Sequence, residues 1–357
     1  MSAPELRSVL VVGAGLIGAS IGLALRARSV TVFLTDSDAE AVALAVERGA
    51  GLPHGEHGTV DLAVVAVPPH RAGEVVRALL DDPEVRAVTD VTSVKAPVAA
   101  AVADHPRAGR YVGGHPMAGR EVSGAAAARA DLFRGRPWVL CPPGVGPTNG
   151  EAVELATQLA LLVGATPVRM AADEHDAAVA LVSHAPHLVA ALVAGRLREA
   201  PGQEVRLAGG GVSDITRVAA SDPALWREIL AANAAAVGAV LSALRDDLDA
   251  AIAALEDADL DRVERLLVAG VVGRGRLPGK HGSPHAEYVG VPVELADRPG
   301  QLAGLFADVG EIGVNVEDVR IEHVPGEPVG LVELSVRPDA QTRLVDGLRG
   351  RGWTVHD

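Results

Sequence analysis

Along the first half of the chain the apolar residues come in short unbroken runs. "SVLVV" (8–12), "VTVFL" (30–34), "DLAVVAV" (61–67) and "AVTDV" (87–91) are continuous rather than alternating. Runs of that kind predict parallel strands buried on both faces. The segments between them have helical spacing, so the order is βαβ. "PWVLC" (137–141) and "TPVRM" (166–170) continue the strand series. From residue 172 the pattern changes. "ADEHDAAVALVSHAPHLVAALVAGRLREA" and the run from Ser221 to Val272 are long, rich in alanine and leucine, and apolar on more than one face. Helices of that character need burial, and a dimer core would supply it. A Gly, Pro and basic stretch follows, and after it strands and helices return in the order β-α-β-β-α-β, a ferredoxin-like unit. The expected organisation is an α/β domain over 1–171, a helical domain over 172–274, a linker over 275–286 and an α+β domain over 287–357.

Composition narrows the function. The chain has 357 residues, 48% of them hydrophobic and 2% aromatic, so its cores are packed from Ala, Val and Leu. The net charge of −14 argues against nucleic acid or an anionic membrane as the main partner. A single cysteine, Cys141, excludes an intrachain disulfide framework and a Cys-based zinc cluster. A reducing, cytoplasmic setting is expected. The apolar run from Val9 to Leu25 is broken by glycines and is shorter than the roughly 20 residues that span a bilayer, so no membrane role is expected. Of 32 basic residues only Lys95 and Lys280 are lysine, which marks both as candidates for work arginine cannot do.

The strongest local signal is "VLVVGAGLIGASIGLALRARSVTVFLTDSD". Gly13, Gly15 and Gly18 form GxGxxG between a predicted strand and a predicted helix that begins at Leu16 and Ile17. The next strand ends at Asp36, near the spacing of about 20 residues expected for a ribose-binding acid. This is a Rossmann-type dinucleotide site. Gly13 makes the turn, Gly15 admits the pyrophosphate, and Gly18 lets helix and strand pack closely. The helix N-terminus offers amide donors to the phosphates. Asp36 would bind the ribose and repel a 2′-phosphate, which favours NAD. Val67 and Pro68, leaving the third strand, fall at the same carboxyl edge.

That edge also collects chemistry. "TDVTSVK" puts Ser93 and Lys95 after the fourth strand, although Thr92 and Ser93 would equally suit a helix N-cap. "VGGHPMAGRE" follows the next strand and presents His115 in a loop. The proline keeps His115 out of a helix, and Gly113 and Gly114 point to unusual torsions or close approach. A histidine beside a nicotinamide is the usual acid–base partner for alcohol oxidation. His184 and His187 in "SHAPH" raise the question of a metal, but no third ligand has suitable spacing and none is expected.

The ordered set GxGLIGxS, AVPP, TSVK, GGHPMAG, SHAPH and DITRVAASDPALW resembles the prephenate and arogenate dehydrogenases of tyrosine biosynthesis over about residues 1–272. The resemblance implies oxidation and decarboxylation of prephenate to 4-hydroxyphenylpyruvate, with NAD as cofactor. It implies His115 as the base for the 4-hydroxyl proton and Ser93 as its hydrogen-bonding neighbour. It places Arg217 on a substrate carboxylate, and His187, Gly210 and Trp226 around the substrate. "ADRPGQLAGLFADVGEIGVNV" (296–316) resembles an ACT domain, a regulatory module that binds amino acids. By that likeness Asp297, Pro299 and Gly300 would hold an aromatic amino-acid effector at a strand-to-helix turn.

Two residues depart from the family pattern. Arg120 stands where a small residue is expected, and Val212 where an aromatic is common. Both bear on the substrate, so arogenate or an aminodeoxyprephenate stays open as an alternative to prephenate. A non-catalytic sensor of NAD and amino acids would not need His115, Ser93 and Arg217. A β-hydroxyacid dehydrogenase would need a lysine in the helical domain, and 171–274 has none.

Overall fold

The structure is a computed structural model. It describes residues 5–55, 58–119, 124–143, 150–277, 288–323 and 329–356. Arg120, Lys280 and Glu287 lie outside the described residues. The chain divides into two compact units, Met1–Asp246 and Asp247–Asp357.

In the first unit, β1 (Ser8–Val12), α1 (Leu16–Arg26), β2 (Thr31–Thr35), α2 (Ala39–Glu47), β3 (Leu52–Pro53), β4 (Val60–Val65), α3 (Pro69–Asp81), β5 (Val85–Asp90), α4 (Ala96–Val102) and β6 (Tyr111–Pro116) alternate as predicted. The short β3 is an addition to the expected set. After β6 come β7 (Pro137–Cys141), α5 (Gly150–Leu162) and β8 (Thr166–Arg169). The sheet order is β3-β2-β1-β4-β5-β6-β7-β8. Pairing is parallel throughout except between β6 and β7, which run antiparallel. All six residues of β4 are buried, Asp61 among them, as expected of a parallel strand covered on both faces. The order reverses at β1, between β2 and β4. That switch point opens a crevice at the carboxyl ends of β1 and β4.

The helical part follows: α6 (Ala172–Val179), α7 (Ala185–Leu197), α8 (Gly202–Val205), α9 (Gly210–Thr216), α10 (Pro223–Ala232), α11 (Ala234–Glu256) and α12 (Leu260–Gly275). The division between the units falls within α11. A wide π-type turn, Ala180–His184, joins α6 to α7. Pro186 explains it: the residue has no N–H for the ladder and its ring crowds the carbonyl four residues back. The joined run Ala172–Leu197 is 26 residues long and apolar enough to cross a membrane by length and composition. Within it His175, Asp176, His184 and His187 are buried. Helices α10 and α11 meet at Asn233 with a 95° bend. Leu181, Val182 and Leu192 on the first run and Leu248, Ile252 and Leu255 on α11 are exposed in the single chain.

The second unit carries β9 (Val289–Ala296), α13 (Gln301–Ile312), β10 (Asp318–His323), β11 (Val329–Val336) and α14 (Gln341–Gly350). Its sheet is antiparallel, in the order β10-β11-β9, and a bridge from Val293 to Val355 adds the last segment beside β9. This is the ferredoxin-like order. Val291, Val293, Leu305, Val332, Leu334 and Leu344 make a separate core. Asp297, Pro299 and Gly300 form the exposed turn from β9 to α13.

Candidate active site

The glycine loop works through atoms it lacks. Gly13 has φ +112°, and a Cβ there would lie 2.3 Å from the Ala66 carbonyl oxygen. A Cβ on Gly18 would lie 1.9 Å from the Gly13 carbonyl oxygen. Gly15, by contrast, faces open space. It caps α1, so the free amides of Leu16 and Ile17 stand at the mouth of the crevice. Asp36, just past β2, accepts from Ala14 N–H at 2.7 Å and from Asp38 N–H at 3.0 Å, which ties its carboxylate to the loop. Val67 and Pro68 follow β4, where Ala66 N–H donates to Val12 at 2.7 Å. Open space at Gly15, helix amides and a tethered acid fit a dinucleotide.

His115 is not in a loop. It lies on β6, paired with Val139 of β7, and Pro116 is the last residue of the strand. An X-Pro step favours extended backbone, which a strand satisfies as well as a loop does. The two preceding glycines serve close approach rather than unusual torsion. A Cβ on Gly114 would lie 2.5 Å from the Asp90 carbonyl oxygen, and one on Gly113 would lie 3.1 Å from Tyr111 Oη. Beyond Pro116 an open cleft of about 370 Å³ is lined by Met117, Ala118, Arg129, Leu132 and Arg136.

Beneath the histidine strand sits a buried ionic knot. Lys95, 1% exposed, donates through Nζ to Asp90, to Thr92 Oγ1 at 2.9 Å and to the Gly114 carbonyl at 2.5 Å. Asp90 also accepts from Tyr111 Oη at 2.8 Å and from Gly114 N–H at 3.2 Å. Burial beside this carboxylate pushes the Tyr111 hydroxyl well above its usual range and keeps it a donor. A guanidinium could not serve three partners through one compact head, so the bias against lysine elsewhere does mark a special residue. Its contacts fasten β5, the following turn and β6 together. Burial pushes the nearby Cys141 thiol up to about 12.

Around His115 the helical part contributes residues that the sequence reading did not select. His115 Nδ1 is 2.8 Å from His175 Nε2, and the rings meet edge-on. His175 Nδ1 is 2.8 Å from Asp176 Oδ1. Asn233 Nδ2 donates to the Asp176 carbonyl at 2.8 Å and lies 3.1 Å from His184 Nδ1. Burial, then the Lys95 charge and the His175 and His184 rings, hold His115 well below the ordinary histidine range. Burial lowers His184 to about 4 and moves His187 in the same direction. His187 stacks on Trp226 with centroids 3.5 Å apart, and His184 meets the same indole edge-on at 6.0 Å.

The remaining selected residues fall on neighbouring elements. Ser93 is half-buried in the turn between β5 and α4. Gly210 opens α9, and Arg217 begins the short turn Arg217–Ala220; both elements pack on α7, which carries His187. Val212 is half-buried in the first turn of α9. The signal for His175 and Asp176 was "EHD": adjacent ionisable residues inside a helix expected to need burial.

Two family profiles match the chain. The nucleotide-binding domain of prephenate dehydrogenase matches residues 21–169, and the dimerization domain of prephenate dehydrogenase matches residues 171–269. The chain is 39% identical to the "Probable prephenate dehydrogenase NovF" of Streptomyces niveus, over 98% of this chain and all of that protein. Among solved structures it resembles prephenate dehydrogenase from A. aeolicus in complex with hydroxyphenyl propionate and NAD+, with TM-score 0.67 and 27% identity over 76% of this chain and 99% of that one. It also resembles Synechocystis arogenate dehydrogenase, with TM-score 0.63 and 26% identity over 75% of this chain and 98% of that one.

Proposed function

This chain belongs to the prephenate dehydrogenase family, and from that premise we propose how its residues convert prephenate to 4-hydroxyphenylpyruvate with NAD. Gly13, Gly15 and Gly18, the amides of Leu16 and Ile17, Asp36, Val67 and Pro68 hold the cofactor. NAD bound there would supply the acceptor for the hydride of the carbinol carbon of the substrate ring. His115 takes the 4-hydroxyl proton as the C–O bond gains double-bond character. The ring carboxylate departs as carbon dioxide, its bonding pair completes the aromatic ring, and the ring oxygen takes the proton back from His115 to become the phenol. Ser93 hydrogen-bonds the same hydroxyl. Arg217 grips a substrate carboxylate with its planar fork. The stacked His187 and Trp226 wall the substrate, with Gly210 beside them.

The observation that carries this reading is His115 itself. It stands at the carboxyl edge of the sheet, and its surroundings keep it neutral at physiological pH, so it is a base ready to accept a proton. Replacing it with Asn should lower kcat by about 10²–10⁴ and leave NAD binding intact. Near-normal turnover by His115→Asn would remove the assignment. NADH production from prephenate and arogenate, measured side by side, tests the substrate: a preference for arogenate replaces prephenate in this scheme.

The same proposal takes 1–171 as the NAD domain, 172–274 as the substrate and dimerisation domain, 275–286 as a linker and 287–357 as an ACT-like regulatory domain. Exposed apolar side chains on α7 and α11 support a homodimer. The turn at Asp297, Pro299 and Gly300, with Gly300 at φ +89°, supports capture of an aromatic amino acid at the start of α13. Tyrosine or phenylalanine then lowers activity, and titration with each is the measurement. The buried, unreactive Cys141 and the acidic surface support a cytoplasmic setting.

A further inference from the structure

We propose that His175 and Asp176 form a positioning dyad that fixes the tautomer of His115 and leaves its Nε2 bare to accept the substrate proton. The inference rests on the reading of His115 as the base. It begins at Asp176, whose Oδ1 accepts from the backbone N–H of Lys95 at 2.7 Å and whose Oδ2 accepts from that of Ala96 at 2.8 Å. Burial alone would raise this carboxyl. The bonds from His175 and the two amides outweigh it and hold the group below the usual carboxylate range.

An ionised carboxylate only accepts hydrogen bonds. The hydrogen in the 2.8 Å contact between Asp176 and His175 therefore sits on His175 Nδ1. In the neutral ring, Nε2 of His175 is then an acceptor. The 2.8 Å contact it makes with His115 Nδ1 needs its hydrogen on the His115 side. A neutral His115 with hydrogen on Nδ1 has a lone pair on Nε2. Each bond in the chain sets the direction of the next, and the direction begins at two backbone amides.

Those amides belong to the turn after β5 that carries Ser93 and Lys95, so the proposed hydroxyl ligand and the support of the base share one piece of backbone. Groups facing the chain are Lys95 with its partner Asp90, His184 from the π-type turn, and Asn233 from the α10–α11 junction. During turnover the substrate O–H bond breaks and an N–H bond forms at His115 Nε2. The resulting positive charge is met through His175 by the Asp176 carboxylate. The dyad is neither oxidised nor reduced.

Asp176→Asn removes the charge that directs the chain. With its oxygen toward His175 the amide sets its nitrogen against the Ala96 N–H, and with its nitrogen toward His175 it meets the Lys95 N–H and moves the ring hydrogen to Nε2; either placement loses a bond and the charge that supports a protonated His115. In the full chain with NAD and prephenate, kcat should fall by about 10²–10⁴ while KM and NAD affinity stay within about threefold. His175→Ala should show a similar loss, partly restored by added imidazole that enters the vacated space. In the unmutated chain, ¹⁵N spectra should show His115 protonated at Nδ1 and bare at Nε2, a readout independent of activity and of any variant's folding. The opposite tautomer overturns the proposal. So does near-normal turnover in Asp176→Asn, or a folded, NAD-binding His175→Ala that imidazole does not rescue. His115→Asn run in parallel separates the two levels: if it is inactive while both dyad variants are normal, only the dyad fails, and if it is active the base assignment itself fails.

Discussion

The glycine loop and the histidine cluster lie in the same unit but are built on opposite principles. The loop is contiguous, from β1 through Asp36, and its geometry is backbone geometry. Gly13 and Gly18 work because a methyl group at either place would strike a carbonyl. The cluster is assembled from β5, β6, α6, α7 and the α10–α11 junction, and its geometry is a set of side-chain contacts. Adding an atom breaks the first, and removing a group breaks the second. The difference gives two kinds of mutational signature and a way to test whether the division is real.

The largest effect on stability should come from the knot under β6. Lys95→Met leaves Asp90 buried without its cation while keeping most of the side-chain volume. Breaking a buried pair in this way costs about 3–5 kcal/mol. Urea unfolding should read that loss, and turnover should fall as β6 loosens under His115. A stability change below about 1 kcal/mol would mean that the knot is dispensable and that the cluster does not depend on it.

The next effect concerns pH and has a definite sign. His184 titrates near 4 in the folded chain, against about 6.5 when unfolded. As the pH falls through this window the unfolded chain takes up the proton first, so stability is complete above about 6.5 and declines towards 4. From His184 alone the decline is about 3 kcal/mol, and His115 and His187, also lowered, act in the same direction. Unfolding at pH 7 and pH 4.5 should show the decline, and His184→Gln should flatten it. An unchanged slope in that variant would place the acid sensitivity elsewhere.

The contrast between the regions also explains what the sequence made legible. GxGxxG, the following strand and Asp36 lie within one βαβ unit, so periodicity and spacing expose them directly. The two smaller domains were likewise visible as changes in period. His115 was found by its proline and glycines, but its setting was misjudged. An extended X-Pro step looks the same in a strand as in a loop, and only the pairing with Val139 distinguishes them. His175 and Asp176 left only the ionisable "EHD" within an apolar helix, and Asn233 left no signal. Their meaning lies in contacts across 49 to 81 residues of chain, and a local pattern holds no record of those. Lys95 stood out only through the rarity of lysine, which marked it without saying that its work is to fasten two strands.

The smallest effect sharpens the comparison inside the loop. Gly15→Ala and Gly18→Ala add the same methyl group three residues apart. At Gly15 the methyl meets nothing in the chain, so the melting temperature should hold while NAD binding weakens, because the new atom would stand in the path proposed for the pyrophosphate. At Gly18 the methyl collides with the Gly13 carbonyl, and overpacking of that kind costs about 1–3 kcal/mol. Stability and NAD binding should therefore fall together. Calorimetry with and without NAD separates the two cases. If both variants lose stability equally, Gly15 is held by packing rather than kept clear for a ligand, and the loop does not work by the atoms it lacks.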